Sequence, residues 1–226
     1  IEHATNQARH FKLERTEWTA QRLDGHKLTL HPLFRQLFPS ELPKPLVQLS
    51  IPSVSLWQCE FASMGELCSA LGDSGAFRQL LELQQAVEKA IAAESGAVLH
   101  SVASGLVAAF SSSESALRAA VLAQRAVMTL RADNPFAHLL GMRLGLYTGS
   151  ASVVDQDRRL DYFGQTVAIC ARLASEAHSG DILLPSSMLS LCESIAGVKA
   201  GPIFSIVGKG LSSAVSVSRL SVEMLS

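Results

Sequence analysis

From residue 53 onward the hydrophobic pattern switches between a period of two and a period near four. "SVSLWQCEF" (53–61) reads as a strand. "GAFRQLLELQQAVEKAIAAES" (75–95) carries Phe77, Leu80, Leu81, Val87 and Ile91 at helical spacing and stops at Gly96. "GAVLHSVASGLVAAFSS" (96–112) predicts two strands joined by a tight turn at Ser104-Gly105. "SESALRAAVLAQRAVMTLRAD" (113–133) predicts a second long helix, capped by Ser113 or Ser115 and stopped before Pro135. "MRLGLYTGSASVVD" (142–155) reads as a strand pair with glycine at the bend, and "GQTVAICARLASEAH" (164–178) as a third helix closed by Gly180. "DILLPSSMLSLC" (181–192) gives a strand and a short helix, and "IFSIVGKGLSSAVSVSRLS" (203–221) two strands around Gly208-Lys209-Gly210. Hairpins and crossovers together predict an α+β fold, a mixed sheet covered by long helices on one face.

The first fifty residues read differently. "FKLERTEWTAQRLDGHKLTLHP" (11–32) alternates around Asp24-Gly25, a hairpin turn pair. "LFPSELPKPLVQLSIP" (37–52) holds Pro39, Pro43, Pro45 and Pro52, and proline removes backbone donors, so it reads as a connector. The boundary falls near Pro52, with an extension over 1–52 and a domain over 53–226.

Composition narrows the classes. The chain of 226 residues is 48% hydrophobic and 17% charged, a globular composition. A net charge of −1 offers no basic excess for nucleic acid or a membrane surface. Cys59, Cys68, Cys170 and Cys192 form no C-x-x-C pair, so reduced thiols and a cytoplasmic setting are expected. No apolar stretch is long enough to cross a bilayer and no signal peptide is visible. The chain begins with Ile and is expected to be part of a longer protein.

Four phrases in order resemble the catalytic domain of class III nucleotidyl (adenylyl and guanylyl) cyclases. They are "SGLVAAF" before an Ala-rich helix, "MRLGLYTGSASVV", "LDYFGQTVAICARLASEAHSGDILLP" and "VGKGLSSAVSVSRL". The resemblance spans about Pro52 to Leu220 and implies a ferredoxin-like core. It also implies a site in which two divalent cations, held by two aspartates, drive attack of a ribose oxygen on the α-phosphate.

At the positions the resemblance points to, the chemistry thins out. The first aspartate falls on Cys59, or on Glu60 if the register slips by one, which would turn the side chain to the other face. The second falls on Ser104. The asparagine of the ribose and transition-state pair is Ala168, while its arginine is retained as Arg172, four residues on along the same helical face. Arg172 is either an anion-binding fork or a structural arginine. Of the lysine and aspartate that the resemblance implies read the base, the lysine position falls on His100 and the aspartate is present as Asp161, so an adenine is only half supported; Gly164 permits close backbone approach at the helix start. Asp161 also fits a plain strand-to-helix turn, and Glu60 a solvent-facing strand residue.

Other constellations are bland. His3, His10, His26, His31, His100, His138 and His178 show no metalloenzyme spacing, and no phosphate-loop motif occurs. "ASGLV" around Ser104 is not G-x-S-x-G. The stripe Leu117, Val121, Leu122, Ala126, Val127 and Leu130 is read as core, as is Trp57; Arg158-Arg159 is read as a solvated hairpin tip. The sequence thus predicts a catalytically silent cyclase-homology domain with no metal and no cofactor, Mg²⁺ or Mn²⁺ entering only if it is active. The expected partner is a second copy or another cyclase domain, and a nucleotide is a candidate ligand. The alternatives are a divergent active cyclase and a non-catalytic nucleotide-binding module.

Overall fold

The computed structural model describes residues 31–37, 49–61, 64–102, 104–132, 134–156, 159–207 and 213–224. The hairpin predicted around Asp24-Gly25 lies outside them, as does the Gly208-Lys209-Gly210 turn. A short helix α1 (Pro32–Leu37) precedes β1 (Leu49–Phe61), α2 (Met64–Ala93), β2 (Ala97–Val102), β3 (Gly105–Phe110) and α3 (Ser113–Ala132). Then follow β4 (Met142–Gln156), β5 (Arg159–Phe163), α4 (Gln165–Glu176), β6 (Asp181–Pro185), α5 (Leu189–Cys192), β7 (Val198–Ile206) and β8 (Val215–Val222). The boundary read at Pro52 falls inside β1.

The strands form one eight-stranded sheet in the order β2-β3-β1-β4-β6-β8-β7, with β5 paired to β4. β4 and β6 run parallel; the other pairs are antiparallel. Because side chains alternate along a strand, β1 and β4 serve two cores. Trp57, Cys59, Leu144 and Leu146 point into a large core with Leu80, Val87 and Ile91 of α2 and Leu117 and Val121 of α3. Leu56, Val54 and Cys170 of α4 lie in another cluster, and Leu173 of α4 packs with Leu183. The sheet is therefore covered on both faces, by α2 and α3 on one and by α4 on the other. The expectation of helices on one face is corrected: a sheet whose two faces are both apolar needs two covers.

Three further expectations change. β4 is one continuous strand of 15 residues, not a bent pair. Its glycines answer to the helix above: a Cβ at Gly145 would meet the Ala174 amide nitrogen and the Cys170 carbonyl. The cap of α3 is Ser112, whose Oγ accepts from the Ser115 amide at 3.1 Å. On α2, Phe77 and Leu81 are exposed, and on α3 Leu122 is exposed too, so the helical spacing names more apolar residues than the core takes. A kink at Gly72 divides α2.

Candidate functional site

The end of β1 lies beside the β2–β3 turn. Glu60 pairs with Gly105, and the Phe61 amide donates to the Ser104 carbonyl at 2.8 Å. This brings Cys59, Glu60 and Ser104 together in the backbone, but their side chains part. Cys59 is 1% exposed and faces the core under α2 and α3. Burial pushes its thiol from 9.0 up to about 12, so it stays neutral. Glu60, the next residue, turns to the other face, where Arg143 on the adjacent position of β4 holds it. The Arg143 Nε donates to Glu60 Oε2 at 3.0 Å, and its Nη1 donates to the Ser175 carbonyl at 3.4 Å in the last turn of α4. Glu60 is thus neither a free ligand nor a plain solvent-facing residue. Ser104 is exposed and carries only a neutral hydroxyl.

The second group gathers around β5 and α4. His100 and Asp161 come from different elements, yet Nδ1 lies 3.8 Å from Oδ2. A register shift between Val98 and His100 in β2 sets this up: Leu99 is buried and His100 faces out. Asp161 Oδ1 also accepts from the Tyr162 amide at 2.8 Å. Gly164 takes φ 137°, ψ −175°, a backbone state costly for any residue with a Cβ, and this lets the chain turn from β5 into α4. Ala168 is exposed on α4. Four residues on, Arg172 pairs with Glu176 along the same helix, at 2.7 Å. Its Nε is buried without a hydrogen-bond partner.

Two features escaped the sequence reading. Arg143 was one, although its place opposite Glu60 is a register fact that only strand pairing reveals. The other is a cleft of about 280 Å³ at the start of α4, with Ser50, Ser150, Ser152 and Gln165 among its lining. Thr166 beside it is buried and donates to the Ser150 carbonyl at 2.6 Å, fixing α4 on β4.

A profile of the adenylate and guanylate cyclase catalytic domain matches residues 74–212. The chain belongs to that family. Solved structures agree on the fold. The guanylyl cyclase Cya2 superposes with a TM-score of 0.65 at 16% identity, covering 78% of this chain and 95% of the other. The adenylyl cyclase CyaB from P. aeruginosa gives 0.60 at 19% identity, covering 77% and 97%. A dimeric guanylyl cyclase domain of the RhoGC fusion protein from the aquatic fungus Blastocladiella emersonii gives 0.60 at 14%, covering 76% and 98%. A comparison with curated proteins finds no match.

Membership of the cyclase family implies divalent cations at the end of β1, and the donor set does not suit them. Hard cations want anionic oxygens. Here the implied positions hold a buried neutral thiol at Cys59, or at Glu60 a carboxylate engaged by Arg143, and a hydroxyl at Ser104. Among the described residues no group of three His, Cys, Asp or Glu side chains converges as a metal centre. No helix among them is long and apolar enough to cross a membrane.

Proposed function

We propose that this domain is a catalytically silent member of the cyclase family that acts in nucleotide signalling through pairing and ligand sensing. The observation that carries this reading is the end of β1: where the resemblance asks for a carboxylate, Cys59 is a neutral thiol closed into the core, and the alternative one residue on, Glu60, is engaged by Arg143. Loss of a two-metal ligand costs orders of magnitude in rate, and Ser104 and Ala168 remove two further groups. What the chain keeps is Asp161, Gly164 and Arg172, with His100 standing where the resemblance asks for a lysine. That set suits a nucleotide held and not turned over: a base against the His100–Asp161 pair, an anionic group near Arg172. A second cyclase domain, a copy of this chain or an active relative, is the partner this reading expects. The domain's place is expected to be the cytoplasm, alone or as the cytosolic part of a larger protein.

The test is turnover. Purified protein with ATP or GTP and Mg²⁺ or Mn²⁺ should yield no cyclic nucleotide above an Arg172→Ala control. Restoring Cys59→Asp, Ser104→Asp and Ala168→Asn together is the minimum for any recovery, because groups acting as a unit do not add singly. Robust cyclisation by the unaltered chain would sink the reading and direct attention to Glu60, Asp161 and Arg172.

A further inference from the structure

The helix-covered face carries an apolar feature that the site does not use. α2 and α3 pack side by side, and on their solvent side they leave a groove of about 510 Å³. Its floor is Ala86 and Ala90 of α2 and Leu122, Ala126 and Leu130 of α3. The last three recur every fourth residue and so form one stripe along α3. The sequence assigned that stripe to the core, yet Leu122 is 38% exposed. Alanines along the floor keep the α2 side low, so another helix can approach closely.

The charges beside the floor are arranged in a way that matters. Glu82 and Lys89 both line the groove and both are exposed. Neither has an ion-pair partner among the described residues. They stand two turns apart on α2, about 10 Å along its axis. The midpoint between them falls at Gln85 and Ala86. If a second α2 crosses antiparallel about a twofold axis through that midpoint, Glu82 of one copy meets Lys89 of the other, twice. Ala86 then lies at the axis, where a small side chain is needed. A closed twofold contact requires such self-complementarity.

From this arrangement we infer that the α2/α3 groove is a contact between two copies of this chain, isologous and antiparallel, centred on Ala86. It lies on the sheet face opposite α4 and is separate from any pairing made through the His100–Asp161 side. A chain with both surfaces can link pairs into larger assemblies.

The symmetry makes the test sharp. Glu82→Lys leaves two lysines, and Lys89→Glu leaves two glutamates, so each variant meets only like charge across the axis. By sedimentation over a concentration series, each should self-associate at least about tenfold more weakly than the unaltered chain. An equimolar mixture of the two variants should recover association, since every cross-pair is again opposite. The double reversal in one chain should recover it too. A disulfide cross-link reads the groove alone, whatever the other face does: Ala86→Cys should link copies under mild oxidation. Phe77→Cys, half a helical turn round α2, should not. Recovery in the mixture together with the Ala86→Cys link supports the contact. If the single variants associate as the unaltered chain does, or their mixture gains nothing, or Ala86→Cys stays unlinked while the chain is associated, the contact is wrong. The groove is then open or takes a different protein.

Discussion

Two neighbourhoods of the site differ in a single respect that decides what each can do. At the end of β1, Cys59 is packed into the core and Glu60 is clasped by Arg143, while Ser104 is exposed. Around β5 and α4 the groups are partly exposed and more loosely held. His100 and Asp161 face each other at 3.8 Å, and among the described residues Arg172 pairs with the exposed Glu176 one turn on. Both neighbourhoods rest on the same sheet and the same close contacts, such as Gly145 beneath α4. Packing is therefore close on both sides, while Glu60 is fixed by Arg143 on one and the His100–Asp161 pair is looser on the other. Fold and activity are separate properties, and on the proposed reading the strand end holds the first without the groups for the second.

The comparison breaks most visibly if the strand end is opened by force. Cys59→Asp places a carboxyl where burial already holds a thiol neutral. Because burial outweighs the Leu106 backbone hydrogen bond at this position, destabilisation on the order of 3 kcal/mol is expected, read by urea unfolding. Added Mn²⁺ should not restore it, because a single carboxylate beside a serine makes a poor site for a hard cation. A variant as stable as the unaltered chain, or one rescued by Mn²⁺, would mean that the strand end is an accessible ligand position, and the contrast would collapse.

The sequence could reach the fold but only part of this contrast. Strand and helix periods survive because both cores need them, so Trp57, Leu117 and Val121 are legible as interior from spacing alone. The two sides of the sheet are not legible that way. Apolar residues on β4 alternate with glycine and serine, which look like a bend until α4 is seen pressing on Gly145. Leu122, Ala126 and Leu130 share the spacing of core residues, yet whether a stripe is covered depends on what packs against it. The same holds at the site. That a thiol precedes a carboxylate at the end of β1 can be read from the sequence, but the Arg143 clasp on Glu60 depends on strand register. The meeting of His100 and Asp161 depends on an irregularity within β2.

A second way to sharpen the contrast uses pH. Burial pushes Cys59 and Cys170 from 9.0 to about 12 in the folded chain. A folded-state pKa above the unfolded one contributes stability that is complete below pH 9.0 and declines as pH rises from there towards 12. One unit above the unfolded value, each thiol should withdraw about 1 kcal/mol. Chemical unfolding at pH 7, 9 and 10 checks this, with Cys59→Ala and Cys170→Ala each flattening the fall. A thiol reagent should label neither cysteine in the folded protein at pH 7. Rapid labelling of Cys59 would place it at the surface, with the groups around β5 and α4.

The smallest effect on stability belongs to that more loosely held half, and there the sign of the comparison is tested from the other side. His100 and Asp161 lie at a distance beyond a hydrogen bond, and they attract as ions only while the imidazole is protonated. Exposed pairs of this kind contribute little, because solvent screens them and two side chains must be held still. Among the described residues, the Asp161 carboxylate accepts one hydrogen bond, from the Tyr162 amide next to it. His100→Ala and Asp161→Ala should therefore each lower stability by less than about 1 kcal/mol. Their effect should appear elsewhere, as loss of any rise in melting temperature that the unaltered chain shows with a nucleoside triphosphate. The rise should persist in Cys59→Ala, since that thiol faces the opposite core. A loss above about 3 kcal/mol in Asp161→Ala would mark the pair as a structural keystone. An unchanged nucleotide shift in both variants would remove them from the ligand site and leave Arg172 as the only group of that half to examine.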